Sequence, residues 1–322
     1  MPSVIAHYGF NKEVIDENLS FLKGNEDVYM VGAQGPDPFF FYGIIPFMKT
    51  INPKNVRAYG SKLHKLEPSE VFAFFFQYAN NSERKDILYS YILGAGLHYI
   101  LDRKVHPYVY YKTGFSNEPK LKRKYFVDHT LFETNLDVLL METRFNGYKV
   151  TAFESIKCDI NKIEIVSKMY GELAKKVVLD DKIDDNSFKN SYEHMRKIEK
   201  LLYSKSGTKK KIVGALLKNT PLNTMMHPKK VKDDSKIDYM NLKKSEWKDP
   251  ATCVSYNKSL LELIDEAKGD AKIWFSIVEQ ASKGNYSLAK LKEFTKEKIY
   301  DGYDNKKEKM QVFDNVYGKG NS

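Results

Sequence analysis

Hydrophobic residues recur at three- and four-residue spacing along most of the chain, which is the period of an amphipathic α-helix. No internal repeat, heptad run or convincing strand pair interrupts this pattern. The sequence therefore predicts an all-α protein, a multi-helix bundle. The spacing predicts helices over residues 11–23, from Pro68 onward, and over residues 84–105, 125–141, 160–178, 186–203 and 254–282.

Two segments lack the helical period. Residues 31–66 are rich in Gly, Pro and aromatic residues, and an ordered loop of that length is uncommon unless it builds a site. Residues 204–249 are polar and rich in lysine, and we interpret them as irregular, with a lid as one possible role. Pro107 is expected to limit how far the helix over 84–105 continues, because proline disrupts a helix interior.

The composition is that of a folded protein without disulfides. The chain has 322 residues, of which 42% are hydrophobic, enough for a buried core, and this length is compatible with one large domain or two ordinary ones. Cys158 and Cys253 are far apart and lack metal-binding spacing, which excludes a disulfide scaffold and a thiolate zinc site.

The localisation expected from the sequence is cytoplasmic. The N-terminus shows no secretory signal pattern, although a secreted form trimmed of its signal would look identical. The longest apolar stretch, residues 39–48, is too short to span a bilayer, so no transmembrane segment is expected.

The net charge of +10 is unevenly distributed. Residues 1–150 carry 18 Lys and Arg against 16 Asp and Glu, while the remaining residues carry 34 against 26. A basic second half is compatible with peripheral contact with an anionic membrane, or with nucleic acid. A surface that merely keeps the protein in solution explains the excess equally well.

Two of the predicted helices carry polar groups that can bind metal. His98, Asp102 and His106 are spaced i, i+4, i+8, and His129 and Glu133 are spaced i, i+4, so each set shares one helix face. The neighbouring positions are apolar, and burying imidazoles and carboxylates is costly unless they are hydrogen-bonded or metal-bound. One such histidine is usually a hydrogen-bonded core residue. Five groups on two helices favour a metal centre, and zinc prefers these nitrogen and oxygen ligands.

This pattern resembles the bacterial zinc-dependent phospholipase C family, whose all-α fold is shared with the zinc-dependent single-strand nucleases. The resemblance covers about residues 1–140 and follows the order of the family's ligands. Besides the two helical patterns, it includes His7, Asp37 within Gly35-Pro36-Asp37-Pro38, and His64. It implies two or three zinc ions held by one all-α domain over residues 1–322, with residues 1–145 as the metal-binding core and residues 146–322 as a helical extension.

The resemblance also implies three ligand sets. Asp37, His64, His98 and Asp102 would bind the first zinc, His106, His129 and Glu133 the second, and His7 with a bridging Asp102 the third. Secreted family members complete the third site with an N-terminal Trp, which this chain lacks. Removal of Met1 would expose the amine of Pro2 instead. The separation of Asp37 and His64 is longer than in the secreted lipases.

The activity implied by the resemblance is hydrolysis of phospholipid head groups by zinc-activated water, with Asp37 orienting or deprotonating that water. The aromatic residues near Asp37 and His64 could contact the substrate. They could hold a choline ammonium group by cation–π attraction, stack a nucleobase, or simply pack the loop onto the core. These residues are Phe39, Phe40, Tyr42 and Tyr59.

Two alternatives remain open. One is a nuclease or another phosphohydrolase on the same zinc core, and the other is a metal-binding protein without catalysis, which a cytoplasmic location favours. An HD-type phosphohydrolase is excluded because it needs an adjacent His-Asp pair, and Asp128-His129 has the reverse order. His194 and His227 lie outside the pattern, and we interpret them as surface or structural residues.

Overall fold

The computed structural model describes residues 4–15, 19–45, 50–116, 118–148, 150–204, 221–232, 234–304 and 306–318. Apart from one short strand pair, the regular structure of these residues is helical, and the all-α bundle that the sequence predicts is confirmed. No helix in the described ranges combines the length and apolar character that crossing a membrane would require.

The helices are numbered in chain order. Their bounds are α1 Val4–Val14, α2 Glu26–Gly32, α3 Pro53–Leu63, α4 Pro68–Asn80, α5 Lys85–Thr113, α6 Pro119–Thr143, α7 Ala152–Ser155, α8 Ile160–Leu173, α9 Ser187–Leu202, α10 Pro221–Thr224, α11 Asp234–Ile237, α12 Leu260–Ser282 and α13 Leu288–Thr295. Short 3₁₀ turns cover Ser20–Leu22, Asp37–Phe41 and Asn146–Tyr148, and a π turn covers Ala174–Val178. Strands β1 Trp247–Lys248 and β2 Ser255–Tyr256 pair antiparallel.

Helix α5 is the central element, because α1, α2, α4, α6, α8 and α12 all pack against it. Its crossing with α2 is close enough that a Cβ at Gly94 would collide with the carbonyl oxygen of Tyr29. On another side, the Nε1 group of Trp274 in α12 donates a hydrogen bond of 3.0 Å to the carbonyl of Leu93. The helix that carries most of the candidate ligands is thus enclosed by the rest of the bundle.

The C-terminal helices are tied to this centre by ion pairs as well as by packing. Arg103 of α5 pairs with Asp270 of α12 at 2.9 Å, and Lys268 of α12 pairs with Glu13 of α1 at 3.1 Å. The main hydrophobic cluster runs from Ala6 to Tyr300 and so includes residues from both parts of the chain. On this basis we propose that the chain is one domain.

The predicted start of the first helix is wrong. Helix α1 begins at Val4, seven residues before the predicted start, and ends at Val14, while residues 16–18 lie outside the described part. Its first turn is held by the carboxylate of Asp137, which accepts hydrogen bonds from the backbone amides of Ile5 (3.3 Å) and Ala6 (2.8 Å). This cap comes from a distant helix and cannot be read from the local sequence.

The segment over residues 31–66 is not a loop throughout. It contains the 3₁₀ turn that begins at Asp37 and the whole of α3. Pro53 occupies the first turn of α3, where its missing amide donor costs nothing and its fixed φ favours a helix. That proline was the local signal for α3 in a segment that otherwise looked irregular.

Pro107 does not end α5, which continues to Thr113. Proline removes one helical hydrogen bond and crowds the carbonyl four residues earlier, here that of Arg103. Gly302 packs against both the Pro107 ring and this carbonyl, at a positive φ of 86°, and a Cβ there would collide with them. Tertiary packing therefore extends the helix past a residue that usually stops one.

The Lys-rich segment is only partly described, since residues 205–220 lie outside the described ranges. The rest of it contains α10, α11 and strand β1, whose pairing with β2 the sequence did not predict. The helix predicted over residues 254–282 begins at Leu260. Ser259 and Glu262 form a capping box at its start, which fixes that boundary.

The close crossing of α2 and α5 leads to a stability prediction. We expect Gly94→Ala to lower the free energy of unfolding by about 1–3 kcal/mol, because the added methyl group meets a backbone carbonyl that cannot rotate away. Gly269→Ala in α12 is the matched control, since a Cβ there meets nothing within 4 Å. This substitution should raise the free energy of unfolding by about 0.5–1 kcal/mol, because alanine favours a helix interior over glycine. Urea unfolding of both variants measures the difference, and equal effects would contradict the crossing.

Candidate metal centre

The face of α5 that points to α1 and α6 carries three buried polar side chains at one-turn intervals. His98 Nε2 lies 3.2 Å from Asp102 Oδ2, and His106 Nε2 lies 3.7 Å from Asp102 Oδ1. The loop after α2 lies directly on the His98 ring. A Cβ at Gly35 would collide with that ring, and the φ of +47° at this position also favours glycine.

Helix α6 supplies two more of the predicted ligands. His129 Nε2 lies 3.2 Å from Glu133 Oε1, and the same oxygen lies 3.4 Å from His106 Nε2 on α5. The rings of His106 and His129 are 5.5 Å apart between centroids. The i, i+4 patterns of the two helices therefore meet across their interface.

The remaining predicted ligands come from the N-terminal third of the chain. His7 on α1 places Nε2 3.1 Å from Asp102 Oδ1, and its ring lies 4.2 Å from that of His98. Asp37, at the start of its 3₁₀ turn, and His64, at the end of α3, meet at 3.0 Å between Oδ1 and Nε2. All eight predicted ligands therefore lie in one connected cluster.

Within this cluster, three groups of side chains have ligand atoms within 4.8 Å of one another. The group of His106, His129 and Glu133 agrees with the ligand set that the resemblance implies for the second zinc. The other two differ in detail, because His98 belongs to both and Asp102 is grouped with His7 and His98. The groups are His7 with His98 and Asp102, Asp37 with His64 and His98, and His106 with His129 and Glu133.

The hydrogen bonds of the histidines fit metal ligation. The Nδ1 atoms of His98, His64 and His106 each donate to a backbone carbonyl, those of Ala33 (3.0 Å), Gly60 (2.8 Å) and Tyr300 (2.9 Å) respectively. Each ring therefore presents its Nε2 lone pair to the cluster, as metal-ligating histidines do. Among the described residues these three Nε2 atoms are buried without a hydrogen bond of normal geometry. Divalent zinc would satisfy all of them, so the residues fit the ion.

The electrostatics of the cluster favour ionised carboxylates. Burial opposes the charge of Asp102, but the charges of His106 and His98 hold the pKa of its carboxyl well below the usual range. Burial likewise opposes the charge of Glu133, and the charge of His129 lowers its pKa. Burial would lower the pKa of His106, yet the charge of Asp102 and the adjacent carboxylate of Glu133 raise it to about 9. The cluster thus attracts positive charge, either protons or metal ions.

Sequence reasoning missed one part of the site, the segment that follows α13. The ring of Tyr300 lies 4.7 Å from that of His64, and its carbonyl accepts from His106. Asp301 Oδ1 accepts a hydrogen bond of 2.9 Å from the hydroxyl of Tyr110 and lies 4.0 Å from His106 Nδ1. No local pattern in the sequence points to these residues, which reach the site only through the packing of the C-terminal helices.

The four aromatic residues predicted to contact the substrate divide by burial. Phe39 and Tyr59 are fully enclosed and pack edge-on at 5.0 Å, and the Tyr59 hydroxyl donates to the carbonyl of Tyr170. Their positions favour the core-packing alternative. Tyr42 is buried and stacks on His194, whereas Phe40 is only partly buried and lies 5.2 Å from the His64 ring.

The two histidines outside the pattern both have protein partners. His194 is buried, and its Nδ1 accepts a hydrogen bond of 3.0 Å from the amide of Gly43. His227 Nε2 lies 2.9 Å from Asp137 Oδ2. Neither belongs to the three groups that could hold a metal.

Comparison with known proteins gives one match. The model of the family described as zinc dependent phospholipase C matches residues 5–197, which is more than half of the chain and includes every predicted ligand. Neither the curated proteins nor the solved structures contain a significant match.

The central place of Asp102 leads to a prediction on metal content. Asp102→Asn keeps the shape of the side chain but removes the negative charge that faces three histidines, so we expect a lower zinc-to-protein ratio. Asp128→Asn, one residue before His129 but in none of the three groups, is the control that should keep its zinc. Elemental analysis measures the zinc content of both variants. Full zinc content in Asp102→Asn would contradict the assignment of Asp102 as a zinc ligand.

A second prediction concerns pH in the protein stripped of metal. A folded-state pKa of about 9 for His106, against 6.5 ordinarily, contributes stability that is complete below pH 6.5 and is lost as the pH rises to about 9. We therefore expect chelator-treated protein to lose stability across that window. The zinc-loaded protein should not lose stability across this window, because the zinc ion takes the place of the proton on His106. Thermal unfolding from pH 6 to 9.5 measures this, with chelator-treated His106→Gln as the variant that lacks the decline.

Proposed function

Because the chain belongs to the zinc-dependent phospholipase C family, we propose that it is a zinc-dependent phosphodiesterase that hydrolyses phospholipid head groups. The observation that carries this proposal is the set of three adjacent ligand groups on α1, α3, α5, α6 and the turn at Asp37. A single structural zinc site would need one such group. Adjacent groups suit the two or three ions that can hold a phosphodiester.

The ligand assignment we propose follows the family order. The first zinc is bound by Asp37, His64, His98 and Asp102, the second by His106, His129 and Glu133, and the third by His7 and Asp102. Because one imidazole Nε2 can bind one ion, His98 would serve a single zinc, whereas Asp102 has two carboxylate oxygens and would belong to both the first and the third ligand set. Bound zinc supplies charge for the phosphate oxygens and lowers the pKa of a bound water toward neutrality.

Asp37 is the proposed catalytic residue. Burial opposes its charge, but His64, whose Nε2 lies 3.0 Å from Asp37 Oδ1, and the charge of His98 keep the pKa of its carboxyl below the usual range. The Asp37 carboxylate is therefore ionised at neutral pH and can accept a hydrogen bond from the attacking water. Through this bond Asp37 orients the water or takes its proton. His64, tied to the Gly60 carbonyl through Nδ1, fixes the position of Asp37.

Of the aromatic residues, we propose Phe40 as the one that contacts the substrate. Its partial exposure and its position beside His64 support this role. Phe39, Tyr42 and Tyr59 are all buried, so we assign them to packing of the loop onto the core. The substrate group at this position could be a choline ammonium, held by cation–π attraction.

The cellular setting is also a proposal. We propose that the protein is cytoplasmic and reaches anionic membranes through its basic second half, by peripheral contact. A nuclease or another phosphohydrolase on the same zinc core, and a metal-binding protein without catalysis, are the competing outcomes of the experiment that follows.

The deciding experiment measures two products from the same zinc-loaded protein. Vesicles of phosphatidylcholine with and without phosphatidylserine are assayed for diacylglycerol, and single-stranded DNA is assayed for released nucleotides. We expect diacylglycerol, and its release should cease in Asp37→Asn. Nucleotides without diacylglycerol would favour the nuclease, and neither product from fully zinc-loaded protein would favour the non-catalytic alternative.

Phe40 and Phe39 provide a matched pair of substitutions. We expect Phe40→Ala to raise KM for phospholipid with little change in unfolding free energy, because its ring is partly exposed beside His64. Phe39→Ala should cost about 3–5 kcal/mol of stability, as truncation of a buried aromatic ring does. Phe126→Ala, at an exposed position on α6, should change neither quantity. An unchanged KM in Phe40→Ala contradicts the proposed contact.

A further inference from the structure

A cavity with a mixed polar and apolar lining lies beside the candidate metal centre. It has a volume of about 700 Å³ and lies between the start of α1, helices α6, α7 and α9, and residues 227–229. None of the eight predicted zinc ligands lines it. Asp137, which follows Glu133 by one turn on α6, brings the cavity next to the metal cluster without joining it.

Glu199 is the unusual residue of this cavity. Its side chain lines the cavity although the residue is only 4% exposed. The hydrogen bonds and ion pairs of the described residues include none to its carboxyl group. A buried carboxyl without a hydrogen-bond partner destabilises a protein, and such groups are retained where they serve a ligand.

The surroundings of Glu199 increase the free-energy cost of ionising its buried carboxyl group. Burial raises the pKa of its carboxyl to about 7, and the negative charge of Asp137 acts in the same direction, while His227 opposes it. Asp137 itself has partners, since it accepts from the amides of Ile5 and Ala6 and pairs with His227. Among the described residues, positive groups therefore compensate Asp137 directly, but Glu199 only at a distance.

The charges that line the cavity are mainly acidic. Glu142 and Glu154 lie exposed at its rim, with Lys229 as the basic side chain of the lining besides His227. An acidic concave surface in a chain of net charge +10 is a local feature that the composition does not predict. Apolar side chains complete the wall, among them Val138, Met141 and Leu202.

We propose that this cavity binds a small organic cation, with its ammonium group at the Glu199 carboxylate and a short apolar body against Val138, Met141 and Leu202. The cation supplies the hydrogen bond and the positive charge that Glu199 lacks. The apolar wall distinguishes such a ligand from a hydrated metal ion, and Asp137, Glu199 and His227 form none of the groups that could hold one. The site goes beyond the proposed hydrolysis and does not depend on it.

The test is calorimetric titration of the zinc-loaded protein with butylammonium chloride at pH 7.5. We expect saturable binding with one site per chain, and no saturable binding of the neutral 1-butanol. Glu199→Gln should weaken binding by about thirtyfold or more, as expected when one partner of a buried charge pair is removed. Glu154→Gln, the same change at the exposed rim, should bind like the parent.

Thermal unfolding at two pH values tests whether the Glu199→Gln variant is folded. Glu199→Gln should unfold at a higher temperature than the parent at pH 8 and at a similar one at pH 5, because it no longer buries a charge as the pH rises. That shift establishes that the variant is folded. If butylammonium binds equally well to Glu199→Gln, as it would if its amine bound to zinc, the proposal is overturned. Absence of saturable binding to the parent overturns it as well.

Discussion

The burial of imidazoles and carboxylates between α5 and α6 is the constraint on which the rest of the structure depends. Asp102 and Glu133 are almost fully enclosed, and water cannot compensate their charge. Each faces more than one histidine nitrogen at 3.1–3.7 Å. Such a cluster is tolerable when cations occupy it, and the backbone carbonyls bonded to the Nδ1 atoms keep the rings turned toward it.

The bundle is arranged to hold this cluster closed. Helix α2 crosses α5 so closely that glycine is required at position 94, and the following turn delivers Asp37 while Gly35 allows the chain to lie on the His98 ring. The segment after α13 covers the opposite side, with the Tyr300 carbonyl on His106. The C-terminal half is thus part of the site's enclosure, although it supplies none of the predicted ligands.

Two buried carboxyl clusters lie on successive turns of α6 and differ in how they are compensated. Glu133 faces two histidines that can share a metal ion. Asp137 is compensated by the first turn of α1 and by His227, and in the part of the chain that the structure describes no ion pair compensates nearby Glu199. The same helix therefore connects the candidate metal centre with the cavity that we propose binds an organic cation.

Periodicity alone was sufficient for the fold class and for the main helices from α4 to α9, because their apolar faces are long and regular. The i, i+4 spacing on α5 and α6 also placed His98, Asp102, His129 and Glu133 on common faces, since helix geometry fixes which residues share a face.

Other features depend on contacts between distant parts of the chain, and no local pattern contains them. The start of α1 depends on Asp137, the continuation of α5 beyond Pro107 on Gly302, and the closure of the metal cluster on Tyr300. The burial of Phe39 and Tyr59 and the isolation of Glu199 are likewise properties of packing. A sequence specifies which groups can share a face, but only the folded chain decides which face meets which, and so which charges are left for a ligand to compensate.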